Sequence, residues 1–410
     1  MATKPTAKQV LALRQLEQLE QLEQLRARLN RQRRYDIGFP GARDLVFPEL
    51  ADLLTGELLN NIGDPYEAGH GRAHTKALEQ QVIDIVADWL GAPLARWGYV
   101  TTGTSEGTLH ALDEAWQAFH GDVIVYTSTA GHYSIAKAAR LLKLPLVMLG
   151  TDEAGRMDTA DLEEALRRRR EHPAMIVATA GTTMTEAVDD VTAIVKVCDR
   201  LAITRRRIHV DAALSGIPLA LLPKDEQPAF GFAAGASSMV ISGHKFLSTL
   251  TPCGVLVYAQ RPYLPAGRRI GYTGTTDATI TGSRSGHTPL LLWHSLTTLG
   301  VEGHRRRAGA ARNLAVYTYE RLEALGWQVR LNPHAFTVVL RSPPKTISDK
   351  WVLADDGTWA HIITMPGIDQ DQIDEFVQDM AAAIGRNPIR VRQSPSPATA
   401  SLAPASRVTR

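Results

Sequence analysis

The sequence predicts an α/β protein built on a mostly parallel central sheet with helices on both faces. Two observations carry this reading. Between residues 77 and 211, segments with apolar residues at helical spacing alternate with short, nearly continuous apolar runs, as expected of repeated βα units whose strands are buried on both sides. A chain of 410 residues that is 44% hydrophobic and 21% charged can also bury a large core, enough for one large domain and a smaller one.

Taken in order, the chain opens on a Leu-Glu-Gln repeat over residues 13–25. A three-residue period on a 3.6-residue helix makes the leucines drift around the axis, which predicts a helix of high intrinsic propensity and no sustained coiled coil. It is read as a variable extension, with a dimer contact as the alternative. Helices are then expected over 77–90, 134–142, 162–170 and 191–201, and strands over 123–126, 146–149, 175–179 and 207–210, with a further strand over 238–241. The Arg167 to Arg170 run reads as the solvated end of a helix, where cations suit the dipole. Towards the end, 335–340 and 359–364 alternate like antiparallel strands and 369–384 reads as a closing helix, giving a small α+β region. The stretch 393–406, rich in Pro, Ser and Ala, cannot be held in a core and is expected to be disordered. The resulting division is an N-terminal helical segment 1–54, a large domain 55–300, a small domain 301–387 and a tail 388–410.

Composition narrows the function. Forty-five basic against 43 acidic residues give a formal net charge of +2, without the charge field of a nucleic-acid binder. Two cysteines, Cys198 and Cys253, cannot make a disulfide framework, and the N-terminus lacks the apolar core of a signal peptide. No apolar run approaches the roughly 20 residues of a membrane span. A cytoplasmic protein is expected. Among 13 histidines, the pair His70 and His74 has no supporting carboxylate at metalloenzyme spacing, so no catalytic metal is expected.

The chemistry concentrates at two strand ends. Asp211 closes the apolar run 207–210, and Lys245 lies 34 residues later in Ser242-Gly243-His244-Lys245, after the run 238–241. Both sit among small and apolar residues, where an unpaired charge would be costly. A lysine able to form a Schiff base, joined by an acid that keeps a pyridine nitrogen protonated, is what pyridoxal 5'-phosphate (PLP) chemistry requires. Catalytic groups of open α/β sheets project from such strand ends. A phosphate site is supplied by 101–108, whose Gly103, Thr104 and Ser105 precede a helix running to residue 119 and so present backbone N–H groups at its positive end.

Leu59 to Tyr66, Trp97 to Thr101, Gly131-His132-Tyr133-Ser134, Gly181-Thr182-Thr183, Ser242 to Lys245, Pro252-Cys253-Gly254 and Gly282-Ser283-Arg284 resemble, in order, the group II PLP-dependent amino-acid decarboxylases. The resemblance covers about residues 55–380 and is nearest to the histidine decarboxylase and serine decarboxylase branch. It implies fold type I, the aspartate-aminotransferase-like fold. It further implies that His132 stacks on the cofactor ring, that Ala213 packs on the other ring face, that Ser242 and His244 help hold the phosphate, and that Thr182 touches the cofactor. Tyr272, in the Gly- and Thr-rich loop 272–284, matches the acid that protonates the substrate carbon after CO₂ leaves, reaching the neighbouring subunit's site, with His132 as the alternative catalytic group that directs this proton. Tyr66 and His74 fall where substrate would be met. The sequence departs from the family pattern at Thr102, Thr104, Ser105 and Thr108.

These readings converge on a homodimeric PLP-dependent L-amino-acid decarboxylase with active sites at the subunit interface, histidine being the first choice of substrate and serine the second. A PLP aminotransferase or carbon–sulfur lyase of the same fold is the alternative. A catalytically silent scaffold is the second.

Overall fold

The computed structural model describes residues 7–263 and 269–385. The tail expected to be disordered, over 393–406, lies outside the described residues. Helix α1 (Ala7–Tyr35) carries the Leu-Glu-Gln repeat, and Leu16, Leu19, Leu22, Leu25 and Leu29 are all exposed along it in the single chain. After the short α2 (Ala51–Gly56) come α3 (Lys76–Trp89), β1 (Trp97–Thr101), α4 (Thr104–Ala118), β2 (Ile124–Ser128), α5 (Tyr133–Leu141), β3 (Leu146–Leu149), α6 (Thr159–Arg167), β4 (Ala174–Thr179), α7 (Val191–Arg200), β5 (Arg206–Asp211), α8 (Gly216–Ala220), β6 (Ser238–Ser242) and β7 (Gly254–Tyr258). The long α9 (His287–Ala324) is broken at Gly300, which takes φ 58°. It leads into β8 (Val329–Leu331), β9 (Thr337–Arg341), α10 (Lys345–Ser348), β10 (Ala354–Asp355), β11 (Trp359–Ile363) and α11 (Gln370–Ala383).

Seven strands form one sheet in the order β1-β7-β6-β5-β4-β2-β3. Neighbours from β6 to β3 run parallel, whereas β7 is antiparallel to both β6 and β1, so six strands point one way and β7 alone runs back. The expected mostly parallel sheet is found, with β1 and β7 added to it. Apolar side chains sheathe both faces: Val125, Met175 and Val177 pack on Leu112, Ala115, Ile135 and Ala138 of α4 and α5, while Ile176 and Ala178 pack on Val86, Leu162, Ile194 and Leu296 of the opposite layer. The four-stranded antiparallel sheet β10-β11-β9-β8 closes a separate core of Phe336, Val338, Ile362, Phe376 and Trp351. Among the described residues, no helix is long and apolar enough to cross a membrane.

Two boundaries move for identifiable reasons. Helix α6 begins at Thr159, earlier than the expected 162, because Asp158 accepts from the Ala160 and Asp161 N–H groups as an N-cap. It ends at Arg167, and Arg168 to Arg170 continue as a turn. Strand β9 starts at Thr337, two residues later than expected, because a turn bonds Ala335 N–H to Asn332 O with His334 at φ 61°.

Candidate active site

Strand register brings the candidate residues to one edge of the large sheet. Thr179 pairs with Asp211, Asp211 with Val240, and Gly254 with both Ser242 and Thr101. Paired residues share a face and so do residues two apart on a strand, so Thr101, Ser242, Asp211 and Thr179 line the carboxyl edge on a single face. Helix α4 covers that face closely, because a methyl group on Gly107 would lie 2.5 Å from Val240 Cγ2. All four residues are at most 4% exposed, and the Ser242 and Thr179 hydroxyls have no hydrogen-bond partner. Buried polar groups are ordinarily satisfied, so these two are available to a polar ligand.

Asp211 accepts the Ala213 N–H at 3.2 Å, and the Ala213 carbonyl accepts the Ser242 N–H at 3.4 Å, which stitches the two strand ends together. Burial lowers the Lys245 ammonium below its ordinary value, against the opposing pull of Asp211 and Glu186, and so favours the neutral, nucleophilic amine. Burial likewise lowers His132, opposed by Asp211 and reinforced by Lys245. The three expected residues therefore act on one another electrostatically. The turn bearing Lys245 is braced by residues the sequence reading missed. Arg307 grips Asp44 through two bonds of 2.6 Å, both meet Ser248 Oγ at 2.8 Å, and the guanidinium lies 4.8 Å from the centroid of the Phe246 ring.

Gly103 is the N-cap of α4, with no side-chain cap bond and no atom within 4 Å of where a Cβ would stand. The first N–H groups of a helix have no intrahelical acceptor, so those of Thr104 and Ser105 are left for an external acceptor. A side chain at Gly254 would close this approach, since its Cβ would fall 2.7 Å from Thr101 Oγ1 and 3.1 Å from the Thr104 nitrogen. Glu106 fixes the turn from behind by accepting the Thr102 N–H and hydroxyl, each at 2.7 Å, and the Tyr99 hydroxyl at 2.9 Å. A Glu in the third helical position is the sequence signal for this reach-back. His244 is held by Cys253, whose carbonyl and N–H both meet Nδ1.

A cleft of about 550 Å³ is lined by His132, Thr182, Thr183 and Thr185. His132 caps α5, its Nδ1 2.8 Å from Ser134 Oγ, which leaves Nε2 for another partner. The Thr182 hydroxyl, by contrast, braces its own turn, accepting the Ala187 N–H at 3.0 Å. Tyr66, His74 and Tyr272 stand apart from this cluster within one chain. Tyr66 packs 6.5 Å from Trp97, at the amino end of β1, and burial pushes its hydroxyl up to about 12. His74 meets the Lys76 N–H at the start of α3. Tyr272 is 85% exposed, on a loop fastened to the 63–79 region. Thr273 O accepts the His70 N–H at 2.8 Å, Thr276 bonds Glu67, and Arg284 forms a buried ion pair with Glu79.

Residues 49–340 match the family described as the pyridoxal-dependent decarboxylase conserved domain. The chain belongs to this family. As a pyridoxal-dependent decarboxylase it is 36% identical to a histidine decarboxylase of Mesorhizobium japonicum, over 84% of this chain and 92% of that protein. It is 33% identical to serine decarboxylase 2 of Oryza sativa subsp. japonica, over 85% and 74%. The L-methionine decarboxylase of Streptomyces sp.590 superposes with a TM-score of 0.80 at 23% identity, covering 90% of this chain and 96% of that one, which shows the shared fold. The cofactor of the family is PLP, and the carboxyl edge described above fits it. Partnerless buried hydroxyls, an open helix N-terminus, a buried carboxylate and a lysine shifted towards its neutral form stand along one strip.

Proposed function

We propose that this PLP-dependent amino-acid decarboxylase acts on L-histidine, with L-serine second, as a homodimer whose active sites lie at the subunit interface. What supports the substrate order is the greater identity to the histidine decarboxylase over the longer share of the relative. The observation that carries the site is the row Thr101, Ser242, Asp211 and Thr179 beside Lys245. When bound, PLP supplies an aldehyde carbon for an amine and a ring that accepts the electrons released with CO₂.

The remaining work falls to the chain's own residues. Gly103, Thr104, Ser105, Ser242 and His244 grip the phosphate. Asp211 would hold a proton at the pyridine nitrogen, Ala213 and His132 would bracket the ring, and the neutral amine of Lys245 would bond to the aldehyde carbon with loss of water, give that carbon up to the substrate amine and recover it as the product amine leaves. Thr182, Tyr66 and His74 are assigned to the cofactor and substrate approaches. Tyr272 delivers a proton to the carbon that lost CO₂, acting across the subunit boundary, and its high exposure in a single chain supports that assignment. The test is to compare CO₂ and amine release across the twenty standard amino acids. Histidine should give the highest kcat/KM and serine the next. A higher value for any other amino acid overturns the substrate order.

A further inference from the structure

Glu186 is buried at 2% exposure and takes φ 53°, a left-handed conformation that costs a residue with a side chain. A buried carboxylate in such a backbone is doubly unfavourable, and this combination points to a function where the surrounding structure enforces it. The enforcement is visible. Ser215, four residues beyond Asp211, donates to one carboxylate oxygen at 2.8 Å, and the Phe336 N–H beside β9 donates to the other at 3.0 Å. Glu186 also closes the turn that begins at Gly181, with its N–H on Thr182 O at 2.8 Å and Ala187 N–H on Thr182 Oγ1 at 3.0 Å. Thr182, Thr183 and Thr185 of that turn line the same cleft as His132.

Resting on the proposed role of Lys245, we infer that Glu186 is a positioning residue that pins the cleft-lining turn to Ser215 and to the strand end at Phe336, and that its buried negative charge acts on Lys245. The charged and titratable groups facing it are few. Lys245 and Arg312 feel its carboxylate, and Arg156 and His334 share with it a cavity of about 260 Å³ on the far side of the turn. Burial raises the carboxyl to about 7, against the hydrogen bonds of Thr337, Ser215 and Phe336, so the charge is present in full only above neutrality.

Two variants separate pinning from charge. Glu186→Gln keeps the shape and one acceptor without the charge; Glu186→Gly accepts the left-handed backbone freely but abolishes the pin. The readouts are amide exchange over 181–187 in the protein without cofactor, and the pH profile of the rate at which added PLP acquires its visible absorption band. Both variants should lower the midpoint of that profile by about half a unit or more, as loss of a nearby buried negative charge requires. Glu186→Gly alone should speed exchange of the turn at least tenfold. Unchanged exchange in Glu186→Gly overturns the pin. Unchanged midpoints overturn the electrostatic role. Failure of the parent protein to capture PLP instead overturns the role of Lys245, and with it the electrostatic half of the inference, while the exchange result still decides the pin.

Discussion

Asp211 and Lys245 were legible as single residues because small, apolar neighbours made an unpaired surface charge an expensive alternative. Glu186 and Thr179 were not, since a lone Glu or Thr carries no such mark, and only strand register and backbone angle expose them. His209 illustrates how burial at this scale controls stability. It lies two residues before Asp211 on the same face, with Nδ1 2.8 Å from Ser238 Oγ and Nε2 without a partner. Burial, with His110 nearby, pushes it down to about 3 from the ordinary 6.5. The unfolded chain therefore binds a proton that the native state refuses, so this contribution is intact above pH 6.5 and is lost as pH falls towards 3, at about 1.4 kcal/mol per unit. Glu186 acts in the opposite sense, its raised value favouring the folded state at low pH and less so as pH rises through about 7. Replacing His209 by Asn should shrink the stability difference between pH 7 and pH 5 by about 2 kcal/mol, read from urea midpoints at the two values. An unshifted difference would show that His209 is not buried neutral.

Elements with strong periodicity could be read directly. The apolar spacing of α3 and α7 and the continuous apolar runs of β3 and β4 match the structure to within one or two residues. Strand β7 was hidden because it follows the Thr- and Ser-containing turn after Lys245 and runs antiparallel, outside the βα rhythm that identified the others. Strand β1 was noticed as a motif, and its place at the sheet edge follows only from pairing with β7. Of all elements α4 matters most to the proposed site, because its N-terminus is the proposed phosphate cradle and its body lies on the face that carries Asp211. Gly107 permits that contact. Gly107→Val would drive a side chain into Val240, 2.5 Å away at its Cβ, with a cost of about 1–3 kcal/mol from overpacking. The displaced helix should release PLP more readily on dialysis. Destabilisation with unchanged PLP retention would show that the cradle does not depend on this packing.

At the scale of the whole molecule, one chain gathers Asp211, Lys245, His132 and the cradle but leaves Tyr272 exposed on a loop tied to Glu67, His70 and Glu79. The proposed two-fold dimer, in which each loop serves the other subunit, would account for this separation. Lys245→Ala and Tyr272→Phe chains, each impaired alone, should therefore complement when mixed dimers form. Random pairing makes half the dimers mixed, each with one intact site, so about a quarter of the parental CO₂ release should return. Activity no greater than that of the separate variants would place both residues in one chain's site. The central claim, that the amine of Lys245 at the carboxyl edge of the sheet holds PLP, is tested most directly by borohydride reduction of the loaded protein followed by peptide mapping. The account predicts a single phosphopyridoxyl label on Lys245. A label on any other lysine, or none, would contradict it.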